Sequence, residues 1–512
     1  MPPTPSPLAA PPPPPLTDRL LRSWLRCRRR AWLDRHGPQR RRQWSAHRAL
    51  ALDEQVRGFM SLLPKRPGRG EAACAGGEDG VVGLRLRGQT LERTAIEAHP
   101  PLLEKVQGAS RWGGHSYRPV LGRQGRRTTR EHRLLLALWG RLLAGHQGGP
   151  VPQALVVAGG DSRLERESVA LGDSLQRQLD ESLARLAADL ARPEPPPLVS
   201  DRKKCTLCCW RGLCDEAAAA EGHLSEVSGI GGKRRELLLA LGITSLAELA
   251  AVDPERLAAD LAADGEQHRE VAGQLVAQAR VQAHGAPWRR GEPGTTPLPE
   301  LEAAPGVLVY DIESDPDARD DFLHGLLRLR RRPDGSWPDA AEAARGAAAG
   351  YQPLLALQEH GEARLWARLE RLLRRYPDWP VLHYGETEAI GLLRLAERQG
   401  VGEAERERLR ARLVDVHQRL RRHWLLPVNS YGLKAVASWL GFAWSQKGVD
   451  GARCLLWWRQ WRRERTRTGP RLSGQRLQRI FRYNLDDALA TWVVARWLLD
   501  QPPEEPGASP LA

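Results

Sequence analysis

A chain of 512 residues is long enough for several domains, and its composition, 41% hydrophobic and 27% charged, is ordinary for a folded globular protein. No run of about 18 apolar residues could cross a bilayer, and no secretory segment begins the sequence, so we expect a cytoplasmic protein without a membrane partner. The formal net charge of +15 favours a polyanionic partner such as nucleic acid.

The positive charge also has a second explanation. Only seven of the 77 basic residues are lysine, and such an arginine excess is also what a GC-rich genome produces. We therefore give weight to two clusters, eleven arginines between positions 19 and 48 and ten between positions 453 and 482, the latter interleaved with Trp457, Trp458 and Trp461. Guanidinium groups pair with phosphates and indole rings stack on bases, but an amphipathic helix that buries its tryptophans would have the same sequence.

In chain order, residues 1–16 are rich in proline and lack an apolar period, which predicts a disordered tail. An apolar and basic helix follows, with Thr17 or Asp18 as its cap. This helix contains Cys27, which is far in sequence from the other cysteines.

Three cysteines at a C-x₂-C-x₅-C spacing, Cys205, Cys208 and Cys214, are close enough to bind one metal centre. Disulfides are disfavoured in a cytosolic chain, so a fourth ligand from elsewhere is the natural completion, and Cys27 in its arginine-rich helix is the candidate. One early cysteine and a late triplet resemble the iron-sulfur RecB-like nucleases of the PD-(D/E)xK superfamily. The resemblance implies a [4Fe-4S] cluster on these four residues, with Cys209 left over, although four thiolates would also suit zinc.

The RecB-like resemblance predicts a restriction-endonuclease-like α/β domain over residues 17–221, but the catalytic residues of that family are missing. Pro101 stands where the family has a metal-binding Asp, Leu121 replaces the Glu and Arg123 replaces the Lys. The next helix has Leu135 and Trp139 where the family pattern has Gln and Tyr.

Loss of both metal carboxylates removes the means of holding the activating ion. We therefore predict a degenerate nuclease domain that serves as a scaffold or a nucleic-acid-binding platform. The opposing possibility is that Glu104 or Glu97 has taken over from a shifted position.

Residues 222–283 contain a Gly-Ile-Gly turn between short amphipathic segments, which is typical of a helix-hairpin-helix. Gly229 and Gly231 would let backbone N–H groups approach a phosphate, while Lys233 and Arg234 add positive charge at the next helix. This predicts contact with nucleic acid, although such helical pairs also act as spacers. The Pro, Gly and Thr content of residues 284–305 predicts a linker.

An apolar run that begins at Gly306 ends in Asp311-x-Glu313. Alternation along a strand places both carboxylates on one face of a sheet and turns Ile312 into the core. Two carboxylates that are held close and cannot neutralise each other form a place for a divalent metal. The polar, Ala/Gly-rich stretch 330–350 predicts a surface loop.

Two later motifs add polar groups to this half of the chain. A second apolar strand at positions 381–383 is followed by Glu386 and Glu388, and Tyr483-x-x-x-Asp487 places its two side chains one helical turn apart on one face. Asp415 is either a further carboxylate near the metals or an ordinary helix residue.

In this order the motifs resemble the DEDD exonucleases of the ribonuclease H-like superfamily, most closely the YprB-type domain, over residues 306–500. The resemblance implies a mixed sheet flanked by helices and two Mg²⁺ or Mn²⁺ ions. The metal ligands and catalytic residues that it implies are Asp311, Glu313, Glu388, Tyr483 and Asp487, with Tyr483 orienting the attacking water. The middle acid is commonly Asp, and Glu386 is the second choice here; Tyr483 and Asp487 could alternatively only cap or pack a terminal helix.

The segment Ser430-Tyr-Gly-Leu-Lys434 also resembles the YprB-type domains. It predicts a helix from Ser430 and a phosphate contact by Lys434, unless that lysine is merely solvated. Residues 501–512 are predicted to be a disordered tail.

The sequence thus predicts a multidomain α/β protein with a degenerate nuclease domain, a helix-hairpin-helix and a ribonuclease H-like domain. Its predicted function is metal-dependent hydrolysis of DNA or RNA, as a 3′–5′ exonuclease, with a helicase or repair protein as a possible partner. The alternative is a non-catalytic nucleic-acid-binding or scaffold subunit of a repair complex.

Overall fold

The computed structural model describes residues 14–63, 65–123, 127–158, 165–290, 295–316, 320–357, 361–468 and 474–501. Internal contacts divide the chain into an N-terminal unit, Met1–Val199 with Lys204–Asp215, and a C-terminal unit, Ser200–Lys203 with Glu216–Ala512. Most of the predicted tails 1–16 and 501–512 lie outside the described residues. None of the described helices combines the length and the hydrophobicity that a membrane crossing needs.

The N-terminal unit is built on two sheets. Its strands are β1 (Leu16–Thr17), β2 (Gly68–Arg69), β3 (Gly80–Val82), β4 (Leu86–Gln89), β5 (Ala95–Ala98), β6 (Leu102–Ser110), β7 (Gly113–Gly122), β8 (Gln153–Ala158) and β9 (Glu165–Ala170). Its helices are α1 (Asp18–Arg26), α2 (Arg28–His36), α3 (Ala46–Leu62), α4 (Gly70–Ala75), α5 (Arg130–Gln147) and α6 (Asp173–Leu190), and α7 (Arg211–Ala220) crosses the boundary of the units. The larger, mixed sheet has the order β2-β3-β6-β7-β8-β9, and the smaller one β1-β5-β4.

A side-chain cap begins the first helix of this unit, and apolar faces join its helices to the core. The Thr17 hydroxyl accepts a hydrogen bond from the backbone N–H of Leu20 (3.1 Å) and so caps α1, as predicted. Buried leucines on one face of α5, including Leu135, pack into the same core as Leu21 and Leu121.

The C-terminal unit begins with a helical part. It contains α8 (Gly232–Ala240), α9 (Leu246–Ala251), α10 (Pro254–Ala262), α11 (Glu266–Arg269) and α12 (Ala272–His284), which share one apolar core. Only a 3₁₀ turn, Leu224–Glu226, precedes the Gly-Ile-Gly turn, and α8 follows it. The regular helix before this turn is α7, which ends at Ala220, and the helix-hairpin-helix stays a prediction.

The predicted linker 284–305 is packed in part. Strand β10 (Trp288–Arg289) pairs with β16 (Trp424–Leu425), and Leu298 and Leu301 are fully buried in the core of the following sheet. Residues 291–294 lie outside the described part of the chain. The apolar side chains within this Pro- and Gly-rich stretch explain why the contacts join the helical part and the sheet into one unit rather than separating them at 284–305.

A five-stranded mixed sheet forms the centre of the C-terminal unit, in the order β13-β12-β11-β14-β15. Its strands are β11 (Gly306–Asp315), β12 (Asp320–Arg330), β13 (Tyr351–Leu355), β14 (Val381–His383) and β15 (Leu413–Asp415). The helices are α13 (Ala340–Gly350), α14 (Gly361–Arg375), α15 (Glu386–Arg398), α16 (Glu403–Arg412), α17 (Val416–His423), α18 (Leu433–Trp439), α19 (Gly451–Thr468) and α20 (Gln475–Asp500).

Alternation along β11 sorts its side chains between two cores. Val307 and Val309 belong to the core that contains α20, whereas Tyr310 and Ile312 belong to the core that contains α14 and α15. Ile312 is buried, as expected from the sequence. Asp311 and Glu313 therefore lie on the α20 side of the sheet.

The predicted surface loop at 330–350 is wrong for its second half, which forms α13. Asp339 accepts a hydrogen bond from the backbone N–H of Glu342 (2.7 Å), and the Glu342 carboxylate accepts one from the N–H of Asp339 (2.8 Å). This reciprocal capping box and the alanine content stabilise a helix that ends at Gly350.

Candidate metal centre

Three carboxylates meet at the end of β11. Asp311 and Glu313 come from this strand and Asp487 from α20, and each offers a ligand atom within 4.8 Å of the others. Among the described residues this is the one group of three or more His, Cys, Asp or Glu side chains that meets this distance. Residues 173 or more positions apart in sequence are thus brought together by packing of α20 on the sheet.

A chain of hydrogen bonds fixes Asp311. Its Oδ2 accepts a hydrogen bond from the side-chain amide of Asn484 (2.6 Å), and the Asn484 oxygen accepts one from the Tyr351 hydroxyl (2.7 Å). Gly325 lies opposite Asp311 in the β11–β12 register, and a Cβ there would overlap the Asn484 amide oxygen. Our sequence reasoning did not single out Asn484, although it lies next to Tyr483 in the same motif.

Asp487 is held by two donors. The Trp444 indole N–H donates to its Oδ1 (2.6 Å), and the Tyr483 hydroxyl also forms a hydrogen bond with it. Tyr483 is 5% exposed and its ring packs in an apolar cluster with Trp458 and Ile480. Tyr483 therefore packs its helix and also touches the acidic group, and its role in orienting water stays a prediction.

Glu388 is close enough to act on this group electrostatically. It lies in the first turn of α15, and its charge raises the pKa of Asp311 and Glu313. Glu388 Oε2 is buried and has no hydrogen-bond partner in the described part of the chain. Glu386, the second choice for the middle acid, is exposed.

Burial dominates the electrostatics of the four acids. It raises the pKa of Asp311 and of Glu313 well above the usual range, and repulsion by Asp487 adds to it in both cases. Burial likewise raises the pKa of Asp487 to about 6 and that of Glu388 to about 7. Buried carboxylates that repel one another are stabilised by a divalent cation, and Mg²⁺ and Mn²⁺ prefer such oxygen ligands, so these residues fit the predicted metals.

Lys434 is the lysine at this site. Its Nζ donates to the Val449 carbonyl (2.8 Å), lies 4.9 Å from the centre of the Tyr483 ring, and lowers the pKa of Glu313 and Asp487. The helix that carries Lys434 begins at Leu433 rather than at Ser430, because the Ser430 hydroxyl instead accepts a hydrogen bond from the N–H of Gly432. A phosphate contact by Lys434 stays a prediction.

Asp415 has a local structural role. Its Oδ1 caps α17 through the N–H of Gln418 (3.1 Å) and also accepts a hydrogen bond from the N–H of Gly385 (3.0 Å). It thereby ties α17 to the residue before α15. Its charge contributes to the raised pKa of Glu388.

The described arginines of the second cluster lie on α19 and at the start of α20. Trp458 is fully buried between Phe322 and Trp461, with ring-centre distances of 4.7 and 5.4 Å, and Trp461 is buried too. These two indoles belong to the core, so they are not available to stack on bases. Trp457 is half-buried, with the guanidinium groups of Arg453 and Arg479 over its ring.

In the N-terminal unit, the positions aligned with nuclease residues are neutralised or apolar. Leu121 is 1% exposed in the core, and buried Arg123 pairs with Glu165 (2.7 Å). Glu104 is paired with Arg118 (2.7 Å) and Arg166 (2.8 Å).

The other aligned positions also serve the fold. Glu97 lies on β5 in the smaller sheet and pairs with Arg85, Leu135 is buried in α5, and the Trp139 indole donates to Asp18 (2.9 Å). Pro101 directly precedes β6. No cluster of metal ligands forms among these residues in the described part of the unit.

The cysteine segment lies against the helices that surround Cys27. The Trp210 indole donates to Asp34 on α2 (2.8 Å), and the Gln43 N–H donates to the Cys209 carbonyl (2.8 Å). A hydrogen bond from Cys208, followed by Arg42, lowers the pKa of the Cys209 thiol to about 6.

Of the four predicted cluster ligands, Cys214 is buried and Cys27, Cys205 and Cys208 are half-buried. No three thiols of the described residues lie within 4.8 Å of one another. A tetrahedral zinc site, with Zn–S bonds of about 2.3 Å, is therefore not preformed, and the iron-sulfur cluster stays a prediction.

The predicted phosphate-contacting glycines lie just before α8. Gly229 has φ +95, a left-handed conformation that favours glycine, and Gly231 is the residue that precedes the first turn of α8. The Arg234 Nη1 donates to the Gly229 carbonyl (2.7 Å), and Lys233 is exposed.

Comparison with known proteins identifies one part of the chain. No curated protein matches the sequence. Residues 308–499 match the family model RNase_H_2 of the RNase_H superfamily, a range that includes all four acids and Tyr483 but no residue of the N-terminal unit. The match supports nuclease chemistry, a nucleic-acid substrate and a divalent metal at the acidic cluster. The C-terminal part of this chain therefore carries an RNase H-like domain.

Proposed function

We propose that the C-terminal unit is a metal-dependent nuclease, and specifically a 3′–5′ exonuclease that hydrolyses phosphodiester bonds of DNA or RNA. The observation that carries this proposal is the meeting of Asp311, Glu313 and Asp487 within 4.8 Å in a buried setting. Such a group is unfavourable alone and becomes favourable around divalent cations.

The residues have distinct proposed roles. Asp311, Glu313, Glu388 and Asp487 would hold two Mg²⁺ or Mn²⁺ ions, which stabilise charge on the phosphate and make a nucleophile accessible near neutral pH. Burial raises the pKa of Tyr483, so its hydroxyl stays protonated and can donate a hydrogen bond that orients water. Asn484 fixes the direction of the Asp311 carboxylate.

The test is digestion of single- and double-stranded DNA and RNA, each labelled at either the 5′ or the 3′ end. With Mg²⁺ or Mn²⁺ we expect 5′-labelled strands to shorten stepwise and 3′-labelled strands to release labelled mononucleotide at once. Chelation of the metals should stop both. Binding of these substrates without cleavage in either metal would instead support the non-catalytic alternative.

For the N-terminal unit we propose a scaffold held by a [4Fe-4S] cluster on Cys27, Cys205, Cys208 and Cys214. The cysteine spacing supports this, as do the hydrogen bonds that join the segment around Cys209 to α2 and to Gln43. Cluster binding would then be coupled to the folding of the unit.

Anaerobically purified protein should contain about four iron and four sulfide per chain. The variant Cys27→Ser should lose both, whereas Cys209→Ser should retain them. A full complement of iron in Cys27→Ser would remove that residue from the ligand set, and colourless protein with one zinc would replace the iron assignment.

A further inference from the structure

A small cavity within the C-terminal unit has no assigned role. It has a volume of about 150 Å³ and lies between the turn at Gly229 and the segment that follows α17. Three arginines line it, Arg234, Arg290 and Arg421, and none of the described lining residues is Asp or Glu. The cavity is therefore strongly positive.

Different parts of the chain deliver the three arginines. Arg234 comes from α8, where its Nη1 donates to the Gly229 carbonyl while its Nε is buried without a hydrogen-bond partner among the described residues. Arg290 follows β10, and its backbone N–H donates to the His423 carbonyl (2.6 Å). Arg421 is in the last turn of α17, with its guanidinium 5.8 Å from the centre of the Tyr431 ring.

None of these guanidinium groups has a carboxylate partner in the described part of the chain, although arginines nearby do. Arg202 pairs with Glu226 and Arg419 with Glu300. The lining Tyr431 hydroxyl donates to Gln278 (3.0 Å) and accepts a hydrogen bond from the N–H of Leu426, so these polar groups are already used as a fixed wall. Arg234 and Arg290 are half-buried and Arg421 is exposed, so their guanidinium groups are open to an anion that enters the cavity.

The size of the cavity limits which anion can enter. Pockets for small organic ligands usually have about 300–1,000 Å³, and 150 Å³ corresponds to roughly five waters at about 30 Å³ each. One phosphate group fits this space, whereas a whole nucleotide with its base does not. A phosphate that belongs to a longer strand would leave its sugar and base outside the cavity.

The cavity is connected to the metal centre by a short stretch of chain. Tyr431 lines the cavity, and its carbonyl accepts a hydrogen bond from the Tyr384 hydroxyl (2.6 Å), four residues before Glu388. Three residues after Tyr431 stands Lys434, which acts on Glu313 and Asp487.

We propose that Arg234, Arg290 and Arg421 bind one backbone phosphate of the nucleic-acid strand whose end lies at the Asp311 centre. This inference rests on the proposed nuclease function and adds to it that the substrate is a polymer held away from the scissile bond. Such a contact positions the strand without reading its sequence.

The test is strand binding without divalent metal, so that it does not depend on cleavage. A fluorescent single-stranded oligonucleotide and an abasic strand of the same length are titrated by anisotropy over a range of salt concentrations. For Arg290→Ala/Arg421→Ala we expect at least tenfold weaker binding of both strands. The slope of log K against log salt should fall by about 0.7 for the lost phosphate contact.

Arg371→Ala/Arg408→Ala is the matched control, because it removes the same charge from two exposed arginines of the same unit. It should bind as the wild type does, and Arg290→Lys/Arg421→Lys should recover part of the binding if the loss is not a folding defect. Equal affinity and slope for the alanine variant and the control would overturn the proposal.

Two further outcomes distinguish strand binding from the binding of free phosphate and from the proposed nuclease function. Inorganic phosphate at constant ionic strength should compete weakly with the strand. The contrary outcome is that phosphate raises the melting temperature of the wild type but not of Arg290→Ala/Arg421→Ala, while both proteins bind the strand equally well. That result would assign the cavity to free phosphate and overturn the strand role. If the wild type never cleaves and the alanine variant still binds the strand more weakly, the phosphate contact in the cavity is supported and the proposed nuclease function is contradicted.

Discussion

The two units each place acidic side chains on a central sheet, but they treat the charge differently. Glu104 on β6 contacts two arginines, Arg118 and Arg166, at 2.7 and 2.8 Å. Asp311 and Glu313 on β11 face Asp487 instead, and burial raises the pKa of both. An acid that the protein neutralises contributes to the fold, whereas acids that it leaves close together need a cation from outside.

The largest effect is expected when a carboxylate of the uncompensated group is removed. Asp311→Asn keeps the size of the side chain and its hydrogen-bonding capacity toward Asn484 but removes a charged metal ligand. We expect cleavage to fall by about 10³ or more, since several kcal/mol of charge stabilisation are lost, as measured by single-turnover digestion. Strand binding in chelator should persist.

Asp486→Asn is the matched control, one residue before Asp487 on the same helix. Its carboxylate accepts hydrogen bonds from the N–H and hydroxyl of Ser445 rather than facing the metal centre. This variant should retain cleavage. Full activity of Asp311→Asn would move the active site elsewhere.

A smaller effect is expected at Gly325. A methyl group there would push the Asn484 amide away from its present position and so disturb Asp311 without changing any charge. We expect Gly325→Ala to reduce kcat by up to about 10²-fold, as displacements near 1 Å do, with little change in KM. Gly346→Ala, at an open position in the helix α13, is the control and should leave kcat unchanged.

Asp311, Glu313 and Asp487 show what a sequence can reveal about such a site. Strand alternation placed the first two on one face, and the four-residue helical spacing placed Tyr483 and Asp487 together. The sequence did not predict a role for Gly325 or Asn484, because their importance depends on the β11–β12 register and on a contact between residues 173 positions apart. Those relations arise only when the sheet and α20 have packed.

Two stretches that were interpreted from composition alone show a similar limit. Composition predicted a loop over 330–350 and a linker over 284–305, yet α13 is fixed by the Asp339–Glu342 capping box and the linker by buried Leu298 and Leu301. The spacing of Asp339 and Glu342 is present in the sequence, whereas the predicted loop rested on the Ala/Gly content alone. The buried leucines could not be distinguished from exposed ones before their partners were known.

The next prediction concerns the stability of the metal-free protein. Asp487 has a folded pKa of about 6 and Glu388 of about 7, against about 3.9 and 4.3 for unfolded Asp and Glu. Acids with raised folded pKa values stabilise the protein below pH 4 and lose that contribution as the pH rises through 6 to 7. Each pKa shift corresponds to a contribution to the free energy of unfolding on the order of 3 kcal/mol.

Thermal unfolding with chelator at pH 5 and pH 8 measures this loss. The fall in Tm between the two pH values should be larger for the wild type than for Asp487→Asn, and Mn²⁺ at pH 8 should raise the Tm of the wild type only. Parallel Tm profiles in chelator, with no selective effect of Mn²⁺, would show that the acids do not share an uncompensated charge.

The smallest effect is expected on the other side of the comparison, at Glu104. Its carboxylate already has two arginine partners and is 16% exposed, so it is not available to a metal. Glu104→Gln should leave cleavage unchanged and lower the free energy of unfolding by about 1 kcal/mol, the upper range for partly solvated ion pairs. Urea denaturation and digestion of the same preparation measure both quantities. The aligned positions cannot supply a catalytic acid, because Leu121 is a core side chain and Arg123 is ion-paired. A large loss of cleavage by Glu104→Gln with unchanged stability would therefore mean that the N-terminal unit has kept a catalytic acid at a shifted position. The contrast between the two units would then fail.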